Sequence, residues 1–243
     1  MFFSSKFNLT DLFDNFIDIH CHLLPGIDDG ATDTKVSMAM VDAYLEMGIS
    51  AAYCTPHIME DHYNLNAEII HSVYDELKNN LMQGKSSFRI RPAAEHMTDP
   101  AFEQLVNSGK VLPHIDNIVL IETGFMAKPL GLEELLFKMR NKDYLPLLAH
   151  PERYGYIDSL DEYIELKNRG CLFQLNCLSL QGYYGKYEQQ KAVQLLKNGL
   201  IDFVATDAHN PRHLQLISSI RLSKNLLKPL EVAIAQTNET FTF

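Results

Sequence analysis

Short apolar or alternating runs are spaced along the chain, and between them apolar residues recur every three or four positions. FIDIH (16–20), ISAAYC (49–54), FRIRPAAE (88–95), NIVLIE (117–122), YLPLLAH (144–150), CLFQLN (171–176) and IDFVATD (201–207) read as strands. After Thr34, one helical face carries Val36, Met40, Ala43 and Met47, and Gly48 supplies a stop. Asn66 can cap a helix whose stripe is Ile70, Val73, Leu77 and Leu81. Further helical patterns fall at 100–108, 131–142, 159–169 and 186–199. Strand ends near 20, 54, 95, 122, 149, 176 and 206 leave room each time for a crossover and a helix. Seven βα units in succession predict a parallel sheet closed into a TIM-like (β/α)7 barrel, with an open doubly wound sheet as the alternative. One domain over 1–243 is expected, with residues 1–15 as an extension before the first strand.

Composition narrows the classes. The chain has 243 residues, 46% hydrophobic and 21% charged, an ordinary globular mix. Its formal net charge of −10 argues against a nucleic acid or an anionic membrane as the main partner. No apolar run approaches the ~20 residues of a membrane helix, and the first residues carry no secretory pattern, so a cytoplasmic protein is expected. The four cysteines (Cys21, Cys54, Cys171, Cys177) form no zinc-type pair and read as reduced, buried thiols. Cysteine phosphatases need an arginine six positions beyond the cysteine. Here those positions hold Ile27, Glu60, Cys177 and Tyr183, which excludes that chemistry.

The polar residues fall at the strand ends. Asp18, His20 and His22 close the first strand, and Asp28 and Asp29 lie in the next loop. His57, Glu95, Glu122, His150, Asn176, Asp207 and His209 mark the later ends. In a parallel barrel all of these meet at one rim. Any one histidine there is more readily a satisfied structural residue than a ligand. Five histidines and four carboxylates at one rim are not, since such acids repel one another unless cations lie between them. His20 and His22, two apart on a strand, point to the same face. Imidazole plus carboxylate without thiolate suits manganese, iron or zinc, and nine candidate ligands call for two or three ions. Such a site activates water and clamps phosphoryl oxygens, so phosphate-ester hydrolysis is the natural reaction class. Arg153 can grip a phosphate bidentately, or else pair with Glu152 or Asp158. His62, His71, His96, His114 and His213 receive no metal role.

The motifs Asp18-x-His20-x-His22, Asp28-Asp29-Gly30, TPH (55–57), the Glu95 strand, Glu122-x-Gly124, HPERY (150–154) and TDAHN (206–210) resemble the PHP (polymerase and histidinol phosphatase) superfamily. Within it, the chain is similar to bacterial protein-tyrosine phosphatases of the CpsB/CapC/YwqE type over roughly residues 16–215. The resemblance implies a distorted (β/α)7 barrel with three metal ions, commonly manganese. His20, His22, Glu95 and Asp207 would hold one ion. Glu95 would bridge to a second, held with Glu122 and His150, and Asp29, His57 and His209 would hold the third. Arg153 matches the family's phosphate-binding arginine. A second family arginine falls further beyond the last metal histidine than Arg212, the nearest candidate here. The long loop containing Tyr63 would shape the substrate mouth.

The activity this resemblance implies is hydrolysis of phosphotyrosine by a metal-activated hydroxide, without a cysteine nucleophile, in exopolysaccharide or capsule control. Arg153, Asp207 and His209 would act in catalysis, and Arg153, Arg212 and Tyr63 in substrate binding. Phe125, Tyr183 and Tyr184 are further candidates to line the mouth. The partner implied is a tyrosine-phosphorylated protein, expected to be a bacterial tyrosine kinase. Alternatives are a PHP phosphatase acting on a small alkyl phosphate such as histidinol phosphate, a metal-loaded barrel that binds a kinase without turnover, and an amidohydrolase barrel. The last is disfavoured because no lysine stands at a strand end to bridge the metals.

Overall fold

The computed structural model describes residues 6–243. In chain order the elements are β1 (Lys6–Asn8), β2 (Phe16–Cys21), α1 (Thr34–Glu46), β3 (Ile49–Cys54), β4 (His57–Ile58), α2 (Ala67–Gln83), β5 (Arg89–Pro92), β6 (Glu95–Met97) and α3 (Pro100–Ser108). After these come β7 (Ile118–Glu122), α4 (Leu132–Asn141), β8 (Leu145–Ala149), α5 (Leu160–Asn168), β9 (Leu172–Asn176), α6 (Lys186–Lys197), β10 (Phe203–Ala205), α7 (Pro211–Ser218), β11 (Arg221–Ser223) and α8 (Leu227–Thr240).

Two parallel sheets, β2-β3-β5 and β10-β9-β8-β7-β6-β4, together form the barrel wall. They join on one side where the Phe88–Glu95 run changes neighbours. Arg89–Pro92 pairs with β3 as β5, and the chain from Glu95, the last residue of the run, to Met97 pairs with β4 and β7 as β6. Pro92 ends β5, and the sheet continues through Ala93 N–H on Cys54 O (2.9 Å) and Glu95 N–H on Pro56 O (3.1 Å). The sequence pattern predicts one strand here and the structure splits it. On the other side, first and last strands meet through a parallel bridge between Cys21 and Ala208. Asp207 N–H donates to His20 O at 2.8 Å and His22 N–H to Ala208 O at 3.0 Å. The fold is a distorted (β/α)7 barrel.

Strand alternation divides the core in two. Ile19, Ala51, Tyr53, Leu120, Leu147 and Phe203 fill the barrel, together with Phe241 from beyond α8. The opposite faces pack on the helices through residues such as Phe16, Cys54, Val119, Phe173 and Val204. Each buried methylene removed from water contributes about 0.8 kcal/mol, so these two layers are the main stabilisation.

Helix ends obey local chemistry. Asn66 accepts from Ile69 N at 3.0 Å, starting α2. Gly48 ends α1 with φ +83°, and a Cβ there would lie 2.0 Å from Phe13 O. The buried face of α1 is Ser37, Met40, Val41 and Tyr44, one position round from the expected stripe. The reason is polar: Tyr44 OH donates to Asp18 Oδ2 at 2.8 Å, which turns that face inward. Residues 6–15 of the expected extension are ordered by packing. β1 pairs antiparallel with β11, and Leu9 and Phe13 are buried. Residues 1–5 lie outside the described residues.

Candidate active site

The C-terminal ends of the strands gather the predicted polar residues around one cleft of about 530 Å³. At the end of β2 the pairing register with β3 shifts between Asp18 and Cys21. The alternation that sends Ile17 and Ile19 into the barrel breaks there, and His20 and His22 both face the rim. Asp18 stays below them as a latch, accepting from Tyr44 OH and from Thr206 N (2.9 Å) and Oγ1. Gly30 is required because a Cβ at that position would lie 2.3 Å from His22 Cβ and from His22 O. His150 and Asp207 leave their strands in the left-handed region, with φ 34° and 51°. Such backbone costs of order 1–3 kcal/mol and marks functional turns.

Three imidazoles are oriented the same way. His20 Nδ1–H donates to Gln174 Oε1 (2.8 Å), His22 Nδ1–H to Asp28 Oδ2 (2.7 Å) and His209 Nδ1–H to the Asp207 carbonyl (3.0 Å). Each ring therefore keeps its Nε2 lone pair for the centre. Glu95 Oε2 stands 3.1 Å from His20 Nε2, 3.1 Å from His57 Nδ1 and 3.4 Å from His22 Nε2. It is buried, yet none of these contacts has hydrogen-bond geometry; His57 Nδ1 and Glu122 Oε1, 2.8 Å apart, are in the same position. Asp207 Oδ1 lies 3.4 Å from both His20 Nε2 and His22 Nε2, and His150 Nε2 is 3.1 Å from Glu95 Oε1. Asp29 Oδ1 lies 3.4 Å from His57 Nε2 and 3.5 Å from His209 Nε2. Glu95 Oε2, His57 Nδ1 and Glu122 Oε1 thus converge buried and without hydrogen-bond partners, and divalent cations satisfy such a set. The donor set fits them.

Proton affinities show the same need for positive charge. Burial opposes ionisation of Glu95 and Asp207, yet the facing histidines hold both carboxylates well below their ordinary range. Burial likewise opposes protonation of His57, but Glu95 and its other carboxylate neighbours raise it to about 10. Glu122 is pushed up by burial and by Glu95. His150 is lowered to about 4 by burial and the Arg153 charge, and His209 to about 4 by burial and His22.

Arg153 Nη1 donates to Asp207 Oδ2 at 3.0 Å, not to Glu152 or Asp158. Its guanidinium is sandwiched 4.5 Å from the Phe125 ring and 4.1 Å from the Tyr184 ring. Tyr63 stacks on His57 with centroids 5.4 Å apart, and Tyr183, Tyr184 and Phe125 line the cleft with it. Arg212 is exposed on α7 and does not line the cleft; its neighbour His213 does, and hydrogen-bonds Tyr183 OH at 3.2 Å. His96 and His114 are buried elsewhere, on Leu120 O (3.2 Å) and Ile19 O (2.6 Å). All four thiols are buried away from the cleft, and burial raises Cys171 to about 12 and Cys21 and Cys177 well above the ordinary range.

Sequence reasoning missed the groups behind the rim. Gln174 sits inside an apolar strand, and Glu152 is hidden in HPERY. Glu152 accepts from Ser179 Oγ (2.6 Å) and Asn176 N (3.1 Å). Asn176 Nδ2 in turn donates to Asp207 Oδ2 at 2.7 Å. A buried polar residue in a strand is the available signal, and Gln174 carries it.

Histidines and carboxylates gathered at the C-terminal rim of a parallel barrel, in three clusters whose ligand atoms lie close enough to share an ion, define a TIM-like α/β barrel with a candidate metal centre as its class. The chain belongs to the family "Capsular polysaccharide synthesis, CpsB/CapC", whose model matches residues 16–219. It is 33% identical over 196 residues to the tyrosine-protein phosphatase YwqE of Bacillus subtilis, covering 80% of this chain and 77% of that protein. Crystal structures of YwqE from Bacillus subtilis and CpsB from Streptococcus pneumoniae are of metal-dependent tyrosine phosphatases. A chain of this pair superposes with TM-score 0.75 and 28% identity, over 91% of this chain and 95% of the other. A histidinol phosphate phosphatase from Lactococcus lactis shares the fold, with TM-score 0.54 and 14% identity over 89% of this chain and 94% of that one.

Proposed function

We propose that this protein is a metal-dependent protein-tyrosine phosphatase. One observation carries the reading: imidazoles tied through Nδ1 aim their Nε2 atoms at Glu95 and Asp207, beside an arginine held in an aromatic cleft. His20, His22, Glu95 and Asp207 would hold one ion, Glu95, Glu122 and His150 a second, and Asp29, His57 and His209 a third. Manganese is the ion proposed, with iron or zinc as substitutes. When bound, such ions supply an activated water and charge compensation for phosphoryl oxygens.

The chain's own residues do the rest. Arg153 uses one nitrogen on Asp207, and its other donors remain for the phosphate. Phe125, Tyr63 and Tyr183 offer an aromatic ring the walls it needs. Phenolate, with a pKa near 10, leaves without a strong proton donor, which suits a cleft whose buried acids face inward. No thiol reaches the cleft, which supports water rather than cysteine as the nucleophile. In this reading the substrate is a cytoplasmic tyrosine-phosphorylated protein, a tyrosine kinase of capsule or exopolysaccharide synthesis. Family membership and the net charge of −10, which disfavours nucleic acid, support it. No helix among the described residues is long and apolar enough to cross a membrane.

The test is hydrolysis of a phosphotyrosine peptide, histidinol phosphate and a phosphoserine peptide, each with manganese, with chelator, and after thiol alkylation. The expected result is chelator-abolished, alkylation-insensitive preference for phosphotyrosine. Preference for histidinol phosphate would overturn the substrate and keep the site. Bound metal without turnover would point to a binding module.

A further inference from the structure

The connection from β7 to α4, residues 123–131, leaves the cleft wall and runs into solvent with apolar side chains uncovered. Phe125 lines the cleft. Beside it Met126 is 89% exposed, and Leu130, after Pro129, is 103% exposed. Neither fills the core, and uncovered apolar area of this kind marks a contact surface when it adjoins a binding cleft. Across the mouth stand Met59 and Tyr63, which bridge to each other and carry Glu60 and Asp61 at the tip of their turn. Both acids are exposed, and no lysine or arginine among the described residues pairs with them. The lip's own Lys128 is taken up by Glu133.

We propose that this lip docks the chain on either side of the phosphotyrosine and selects apolar, non-acidic flanking residues. The inference rests on the tyrosine-phosphatase reading. The phosphate must reach Arg153 and the buried donors, and the ring then lies along Phe125, so the peptide backbone leaves at the rim. The uncovered apolar side chains of the connection that carries Phe125 out of the cleft wall are Met126 and Leu130. Acidic flanks meet Glu60 and Asp61 and a chain of net charge −10, where like charges repel.

The test uses the metal-loaded protein and the double variant Met126→Ser/Leu130→Ser. Substrates are phosphotyrosine peptides flanked by Leu and Met, by Ser, or by Glu, with p-nitrophenyl phosphate as a substrate too short to reach Met126 or Leu130. The unaltered protein is expected to show kcat/KM about tenfold higher for apolar than for serine flanks, and lowest for glutamate. In the double variant the apolar preference falls to about twofold or less, while p-nitrophenyl phosphate turnover is unchanged. Retained preference in the variant overturns the inference, as does equal use of all peptides by the unaltered protein. A dimer by sedimentation that the double variant dissolves also overturns it, since the lip would then bind a second copy. Hydrolysis of p-nitrophenyl phosphate with no phosphotyrosine peptide accepted is a separate result, and it overturns the tyrosine-phosphatase reading itself.

Discussion

Arg153 and Asp207, 54 residues apart in the chain, meet at 3.0 Å through Nη1 and Oδ2. The pair divides the aspartate's labour: Oδ2 holds the arginine and Asn176, while Oδ1 faces His20 and His22. Arg153→Lys keeps the charge but loses the planar fork and its stacking between Phe125 and Tyr184. We expect kcat/KM on a phosphotyrosine peptide to drop about 100-fold or more, with metal content unchanged. Metal analysis beside steady-state kinetics checks this, and loss of metal in the variant would refute a phosphate role.

Glu152 braces the same region from beneath. Glu152→Gln keeps an oxygen for Ser179 Oγ and Asn176 N, whereas Glu152→Leu leaves both donors buried and unpaired. The leucine variant should lose about 1–3 kcal/mol of stability, and bind manganese about 10- to 100-fold more weakly through the misplaced Asn176 and Asp207. The glutamine variant should stay close to the unaltered protein in both. Denaturant titration and chelator competition measure the two effects separately.

Gly30 is fixed by contact, since a Cβ there meets His22 at 2.3 Å. Gly30→Ala must push the Asp28–Asp29 loop away from His22. Destabilisation of about 3 kcal/mol or more is expected, together with weakened metal binding. A variant with unchanged melting temperature and metal affinity would contradict the packing described.

His114, buried beneath the cleft and outside the candidate ligand set, gives a pH dependence of its own. Burial lowers its pKa to about 3, so the folded ring stays neutral and donates to Ile19 O. Below the ordinary value of 6.5 the unfolded chain takes up a proton that the folded ring refuses. Its contribution is therefore complete above 6.5 and is lost as pH falls toward 3, at about 1.4 kcal/mol per pH unit. His114→Gln keeps a donor for Ile19 O and does not titrate. Urea midpoints between pH 4 and 6 should fall more steeply for the unaltered protein, and equal slopes would refute the assignment.

Periodicity is enough to place the seven barrel strands, because parallel strands buried on both faces read as continuous apolar runs. It does not show that Phe88–Glu95 serves two neighbours, a decision made by Pro92 and by pairing far away in sequence. The candidate ligands stand out in the sequence because their types are expensive to bury at strand ends. Their partners do not: Gln174 and Glu152 matter through contacts that no local spacing encodes. Helix α8 lies beyond the last pattern read from the sequence, and its buried face of Leu230, Ala233, Ile234 and Thr237 is visible only in the fold.

The barrel below the site is packed solid, with Phe241 seated among Tyr53, His114 and Phe203 at the far end. The cleft is thus a blind alley with one door. Whatever is freed deepest must wait for whatever lies nearer the entrance, so under the proposed tyrosine-phosphatase activity the dephosphorylated peptide is expected to depart first and phosphate last. Inorganic phosphate should accordingly behave as a competitive product inhibitor, while the tyrosine peptide should not; reversed patterns in product-inhibition kinetics would mean a second exit.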